Sequence, residues 1–275
     1  MEVPLLWAIA QRELREALRN KWLWFYALGF AGLAFALSQA GMASAGYAGL
    51  GGFGRTAASL INVLLLFVPL MGLSVGAGSL AGDCERGTLL YLLAQPVNRA
   101  EVFFGKALGA GLALIAALAL GFGLAGFGLV STGGGDALIY LSLAGYTLLL
   151  ALVSLGLGFL VSALTRKSAT ASGAALLVWL ALVFLGDLGL VGVTLALRPT
   201  PAALLGTVLV NPLQVFKLGA IYSLRATLDT LGVAGQYALY HFGGGLSWLL
   251  LGLLAAWSVA SFGAAFAIFN RRGDL

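Results

Sequence analysis

The chain has 275 residues, of which 61% are hydrophobic and 9% charged, with a mean hydropathy of +1.01. A soluble domain of this size carries roughly a quarter charged residues, so the polar surface is too small to cover a water-soluble globule. The basic excess, 15 residues against 10 acidic, reads as a membrane-topology signal and not as nucleic-acid binding.

Apolar runs of about 20 residues recur along the chain, each long enough to cross a hydrocarbon core of ~30 Å. The short alternating segments of a membrane β-barrel are missing. Cys84 is the single cysteine, so the fold rests on helix packing and not on an intrachain disulfide. The expected fold class is an all-α integral membrane protein forming one transmembrane domain over 1–275. It has six spans, an N-terminal interfacial helix, and a short cytoplasmic helix between spans two and three.

Residues 1–21 come first. Trp7, Ala10, Leu14, Ala17 and Leu18 share one helical face, while Arg12, Glu13, Arg15, Glu16 and Arg19 cover much of the rest. That pattern predicts an amphipathic helix in the cytoplasmic interface, its apolar side in lipid. The spans fall near 22–42, 57–82, 106–130, 138–165, 170–196 and 246–269. The "ASA" at 43–45 mimics a signal-peptide cleavage site, but the apolar run before it is about twice the usual length, so no cleavage is expected. Eleven basic residues lie on the side of both termini and four on the other, which places both termini in the cytoplasm. The expected location is therefore the inner (plasma) membrane.

Glycine pairs such as Gly72–Gly76 and Gly105–Gly109 fit the small-xxx-small spacing of closely packed membrane helices. Between spans two and three, "GDCERGTLLYLLAQPVNRAEVFFGKALG" (82–109) carries six charges around an apolar block. Thr88 is placed to cap a short helix over Thr88–Ala94, and Pro96 to stop it. Asn98 then serves as N-cap, with Glu101 at N3 and a Val97–Val102 staple, for the helix that becomes span three. The result is a short apolar helix, a tight elbow and a capped restart: a surface for a protein partner. The second inner loop, "SALTRKSATASG", is short and basic through Arg166 and Lys167.

Asp187 is an acid within span five, about 25 Å along it at 1.5 Å per residue. A carboxylate there has to be paired, protonated or facing water. Its two readings are a lining residue of a translocation or dimer cavity, and an acid meeting Arg198 or Arg225 near the outer interface. The outer segment 198–245 starts a helix at Asn211 and Pro212. Leu213, Phe216, Ala220, Leu224, Leu228 and Leu231 share one face of it, with Gln214, Lys217, Arg225 and Asp229 on others. This predicts an amphipathic helix in the outer interface, either a lid on lipid or a docking surface for a periplasmic protein through Asn211, Pro212, Phe216 and Lys217.

Enzyme chemistries fail on residue supply. A P-loop needs GxxxxGK[ST], whereas Gly105-Lys106 is followed by Ala107 and lacks the first glycine. HExxH does not occur, and His241 is the single histidine, placed at the outer mouth of the last span. "GLSVG" at 72–76 matches a hydrolase elbow formally, but Ser74 lies inside a span and not on a strand–turn–helix. Cys84, His241, Met42 and Met71 form no ladder of soft ligands for copper conduction.

The 82–109 stretch resembles the loop between spans two and three in permeases of type-2 ABC exporters. The pattern is carried by Glu85, Gly87, Thr88, Leu89, Pro96, Val97, Arg99, Gly105 and Lys106. The resemblance implies a coupling helix, Thr88–Ala94, that docks into a separate ATP-binding subunit. Glu85, Arg86, Gly87, Thr88, Leu89, Leu90, Leu92, Leu93 and Pro96 are then its contact set. "AQRELREALRNKW" (10–22) is similar to the family's interfacial helix. "NPLQVFKL" (211–218) and "LALVFLGDLGL" (180–190) look like a narrower group, the permeases of copper-processing ABC systems that serve nitrous-oxide reductase maturation. By this resemblance the chain works with a second copy of itself in the bilayer and holds no cofactor or metal. ATP and Mg are bound by the partner subunit, and a periplasmic copper-handling protein is a further partner. A multidrug or lipid exporter permease, a force-relaying anchor and a proton-coupled secondary transporter using Asp187 are the alternatives.

Overall fold

A computed structural model of the protein describes residues 3–45, 49–94, 97–130, 137–197, 199–223 and 232–271. Among these residues the secondary structure is helical, with no strand. Eleven α-helices follow in order: α1 (Val3–Leu18), α2 (Lys21–Ala45), α3 (Gly49–Glu85), α4 (Thr88–Leu93), α5 (Arg99–Val130), α6 (Ala137–Leu164), α7 (Ser168–Leu197), α8 (Pro201–Val210), α9 (Pro212–Ser223), α10 (Gly232–Phe242) and α11 (Leu246–Arg271).

Among the described residues, five stretches are long and apolar enough to cross a membrane: those in α3, α5, α6, α7 and the run from α10 into α11. The pair α8–α9 passes the same test jointly but is bent by 112° at Asn211. Its 25 residues give α2 a length of about 37 Å.

Small residues decide which helices touch. A Cβ on Gly76 would sit 2.5 Å from the Leu155 carbonyl, and one on Gly158 2.7 Å from the Leu73 carbonyl. The backbones of α3 and α6 therefore cross at van der Waals contact, which only glycine permits on both sides. At one end of the bundle, Phe103 of α5 lies 5.5 Å from Phe159 of α6 and 5.4 Å from Phe266 of α11. That aromatic cluster fixes three helices where α5 begins.

Two expectations are corrected. The apolar side of α1 does not lie in lipid: Ile9, Ala10 and Ala17 are buried against α5, with Glu13 among them, while Trp7 is exposed. Gly105 and Gly109 make this possible, since a Cβ on either would run into Ile9 or Glu13. Nor is the outer-segment helix that starts at Asn211 and Pro212 a surface helix. Its helix α9 packs on α6 and α11 with Pro212, Leu213, Gln214, Val215, Phe216 and Ala220 buried. Gly219 lets the Tyr146 ring press onto its backbone, so burial wraps more than the leucine face. Residues 224–231 of the expected helix lie outside the described residues.

Candidate functional site

Lys106 of α5 is the centre of a buried charge cluster. Its ammonium meets the Glu13 carboxylate of α1 and lies 2.7 Å from Oδ2 of Asp83 on α3. All three side chains are buried. Two carboxylates around one ammonium would leave net charge, and the rim supplies the rest. Arg86 reaches Oδ1 of Asp83 at 2.9 Å and the Glu16 carboxylate at 2.5 Å, and Arg12 approaches both acids at 4.0 Å. Burial opposes the charge on Arg86, but its bonds to Asp83 and Glu16 outweigh that and hold its pKa above the usual value. Ser79 donates to the Glu13 carboxylate at 2.6 Å, so each buried oxygen has a donor. Helices α1, α3 and α5 are thus joined by ion pairs as well as by packing.

This cluster carries α4. Helix α3 ends at Glu85, and Gly87, at φ 71°, turns the chain in the left-handed region that glycine tolerates. Gly87, and not Thr88, occupies the N-cap position. The Thr88 hydroxyl instead donates to Oδ1 of Asp83 at 2.8 Å, tying the first turn of α4 to the buried acid. Leu89 is 2% exposed, whereas Leu90 is 53% and Tyr91 72% exposed. Leu92 is half-buried. One leucine anchors the helix, and two large side chains face outward. Pro96 and the Leu93 side chain lie outside the described residues.

The remaining residues of this region brace neighbouring helices. Glu85 accepts the Ser168 backbone N–H at 2.8 Å, satisfying an orphan donor at the start of α7. Arg99 donates to the carbonyls of Phe269 and Asn270 at 3.4 and 3.3 Å, closing the C-terminal end of α11. Glu101 accepts the Asn98 N–H at 3.1 Å, the reciprocal half of a capping box.

A second polar group surrounds Asp187. Gln214 donates to its Oδ1 at 2.8 Å, and Lys217 reaches the same oxygen at 3.1 Å. Arg198 and Arg225 lie outside the described residues. The Asn211 amide bonds the Leu182 carbonyl at 2.6 Å, while its Oδ1 accepts from Leu213 and caps α9. Leu182 lies halfway along α7, so α8 runs back beside α7 to mid-height before α9 departs. Asp187 is 56% exposed and Lys217 35%. Phe216 and Pro212 are buried and offer no surface to a partner, which leaves Lys217 and half-buried Asn211. His241 is exposed on α10 and stacks on Tyr237 at 5.0 Å.

The sequence itself matches known proteins along nearly the whole chain. The sequence model of the family described as ABC-2 family transporter protein matches residues 7–273. The chain belongs to that family. A relative from Pseudomonas aeruginosa, described as a probable ABC transporter permease protein NosY, is 32% identical over 98% of this chain and 99% of its own. A protein of the same description from Stutzerimonas stutzeri is 31% identical over 97% and 98%. An ABC-2 permease is a multi-pass membrane subunit of a transporter, and membership implies a separate ATP-binding subunit as partner.

What sequence reading of this ABC-2 chain missed is the role of Glu13, Asp83 and Lys106. A signal was present. Glu13 lies between Ala10 and Ala17 on one small-residue stripe, and Asp83 and Lys106 are opposite charges at facing ends of consecutive apolar runs. Each is costly beside lipid unless it finds the others.

Proposed function

We propose that this chain is the non-catalytic membrane half of an ATP-driven transporter, acting as two copies with two separate ATP-binding subunits that hold ATP and Mg. Helix α4 is the coupling helix, and α2, α3, α5, α6, α7 and α11 are six spans, with α8–α9 a re-entrant pair on the outer side. Both termini are cytoplasmic, in the inner membrane. Closure of the ATP-binding subunits moves α4, and the Asp83–Lys106–Glu13 cluster passes that movement to α1, α3 and α5.

The observation that carries this reading is the split within α4: Leu89 is sealed into the chain while Leu90 and Tyr91 stand outward on a charge-braced base. A large exposed apolar pair on a rigid mount suits a protein partner better than solvent.

Helix α7 supports the dimer. Only 6% of its apolar window is buried within one chain, against 67% for α6. Asp187 of this span and its partner Lys217 of α9 are both partly exposed and need a polar cover, which a second copy or a water-filled cavity between copies supplies. The resemblance of 180–190 and 211–218 to copper-processing permeases directs the transported work toward nitrous-oxide reductase maturation. There the subunit would deliver conformational work to a periplasmic copper-handling partner or move a sulfur-containing species.

The test uses the chain in lipid nanodiscs with the ATP-binding protein encoded beside it. Wild type is expected to retain that subunit and hydrolyse ATP, while Leu90→Asp and Tyr91→Asp each lose binding or lower hydrolysis at least tenfold, the loss of about 1.4 kcal/mol of contact. Unchanged association in both variants would remove α4 from the interface and with it this reading.

A further inference from the structure

Two adjoining cavities open beside the charge cluster, and no residue of the coupling machinery fills them. The first, about 300 Å³, is lined by Glu16, Arg19, Asn20, Gly82, Arg86 and Lys106 among others. The second, about 460 Å³, is lined by Trp22, Tyr26, Leu70, Ser74, Ala175 and Leu176 among others. Asn20, Gly78 and Ser168 belong to both, so the two form one groove that runs along α3, bounded by α1 and Lys106 of α5 at its charged end and by α2 and α7 at its apolar end. From Gly82 to Leu70 it follows α3 for about 18 Å. Its lower end is charged, its upper end apolar and aromatic.

Charge accounting identifies what the lower end lacks. Glu13, Glu16 and Asp83 are matched by Lys106, Arg86 and Arg12. Arg15, Arg19 and Lys21, at the joint of α1 and α2, have no ion pair among the described residues. Arg19 lines the groove itself. The Asn20 side-chain Oδ1 accepts the Trp22 backbone N–H at 3.0 Å, so the joint presents donors and cations without a free acid among the described residues. The mouth is therefore short of negative charge.

Height supplies the second half of the argument. Trp22 and Tyr26 stack at 6.1 Å on the first turns of α2, and the Trp24 indole bonds the Leu18 carbonyl at 2.6 Å. Aromatic residues at the end of a membrane helix mark the headgroup level. With α2 taken as a span, as proposed above, the cationic mouth falls at headgroup depth and the apolar chamber beside the acyl chains. Basic pockets between spans on the cytoplasmic side are suited to anionic lipid heads.

We propose that this groove binds one anionic phospholipid of the cytoplasmic leaflet. Its phosphate lies against Arg19, with Arg15 and Lys21 nearby, and an acyl chain runs along Tyr26, Leu70, Ser74 and Leu176. The inference rests on the orientation proposed above, with α1 on the cytoplasmic side. The lipid would touch Ser168 and the wall formed by Arg86, so it bears on the same joint that positions α4 and α7.

The experiment uses the complex with its ATP-binding subunit, loaded into nanodiscs of phosphatidylcholine with and without phosphatidylglycerol, and reads retained lipid by native mass spectrometry. Wild type is expected to retain phosphatidylglycerol selectively. Arg19→Glu lowers that preference about tenfold. Ser74→Trp, which fills the apolar chamber, lowers retention of the lipid at unchanged headgroup charge. Each variant must keep the wild-type elution volume, which separates a lost site from a lost fold.

Equal retention in wild type and both variants overturns the proposal. So does displacement of the bound species by free glycerol phosphate, which would make the site one for a soluble anion. So does a disulfide between copies formed by Ser74→Cys in a Cys84→Ser background, which would put a second copy in the groove. Retention of the subunit is scored separately: selective lipid binding without an ATP-binding partner would overturn the transporter reading and leave this one standing.

Discussion

Lys106 and Asp83, 23 positions apart in sequence, meet at 2.7 Å with both side chains almost wholly buried, and Glu13 closes the pair from the opposite side. Removing the ammonium leaves two carboxylates facing each other out of water. Lys106→Met should therefore destabilise the chain by about 3–5 kcal/mol, the usual cost of breaking a buried pair. The triple change Glu13→Gln, Asp83→Asn, Lys106→Met should recover most of it, because no charge is left unpaired. Thermal unfolding in detergent, followed by tryptophan fluorescence, measures both.

The contact of α3 with α6 makes a sharper steric case. A Cβ at position 158 would lie 2.7 Å from the Leu73 carbonyl and 2.9 Å from the Gly76 Cα, backbone atoms that cannot swing aside. Gly158→Ala should cost about 1–3 kcal/mol by overpacking. At Gly145, on the same helix, a Cβ meets nothing within 4 Å. Gly145→Ala should be neutral or slightly stabilising, as alanine is the better helix former. Equal effects in a melting comparison would mean that α3 and α6 are not packed at this distance.

Ser162 raises a different question. Its hydroxyl donates to the Ala77 carbonyl at 2.7 Å and accepts the N–H groups of Leu80 and Ala81 at 3.0 and 2.8 Å. A side chain of α6 thus enters the hydrogen-bond ladder of α3 one turn before its end, where such insertions bend helices. Ser162→Ala should destabilise by about 1–3 kcal/mol, as expected when a buried donor loses its acceptor. It should also speed amide exchange at residues 80 and 81, whereas Ser162→Thr, which keeps a hydroxyl, should restore protection. Exchange that is unchanged in Ser162→Ala would assign those amides to the helix ladder itself.

The parts of this architecture that were legible in the sequence share a physical cause. Apolar runs bounded by caps follow from local chemistry, so the restart at Asn98, with Glu101 three residues on, could be read directly. The glycine pairs at 72–76 and 105–109 announced close approach, but not to which partner. Gly105 and Gly109 face α1, which was expected to lie in lipid, because amphipathicity says which side is apolar and not what covers it. Glu13 reads with the polar face for the same reason. Asn211–Pro212 signalled a helix start, yet the 112° bend there depends on Leu182 and Gly186 of α7, which nothing in the local sequence names. Thr88 was a sound cap by residue type. Asp83, buried one turn upstream, drew its hydroxyl away, and Gly87 took the cap position because the chain turns there at positive φ.

That positive φ gives a prediction for the coupling helix. A β-branched residue at 87 has to hold a left-handed conformation that costs roughly 1–2 kcal/mol. It would relax by rotating α4 on its base. Gly87→Val should therefore weaken association with the ATP-binding subunit several-fold although position 87 carries no side chain to contact it. Gly87→Asn, better suited to that region, should weaken it less. A pull-down titration of the subunit against the three proteins ranks them.

Asp187 and Lys217 separate a translocation role from a structural one. The pair joins α7 to α9 across the bend at Asn211, and Gln214 holds the same carboxylate oxygen. If the pair only tied α9 in place, Asp187→Asn would be nearly silent, since an amide oxygen still accepts from Gln214 and Lys217. If its charge faces the cavity between copies, Asp187→Asn should lower coupled turnover several-fold while assembly with the ATP-binding subunit stays intact. The exchange Asp187→Lys with Lys217→Asp would then keep the ion pair but reverse the order of charges along the path. Recovery of fold without recovery of turnover in that double variant is the expected outcome, because a cavity reads the position of each charge and a tether reads only their attraction. Full recovery of both would make the pair a brace for the re-entrant helices. ATP hydrolysis measured beside elution volume, in nanodiscs, distinguishes the two.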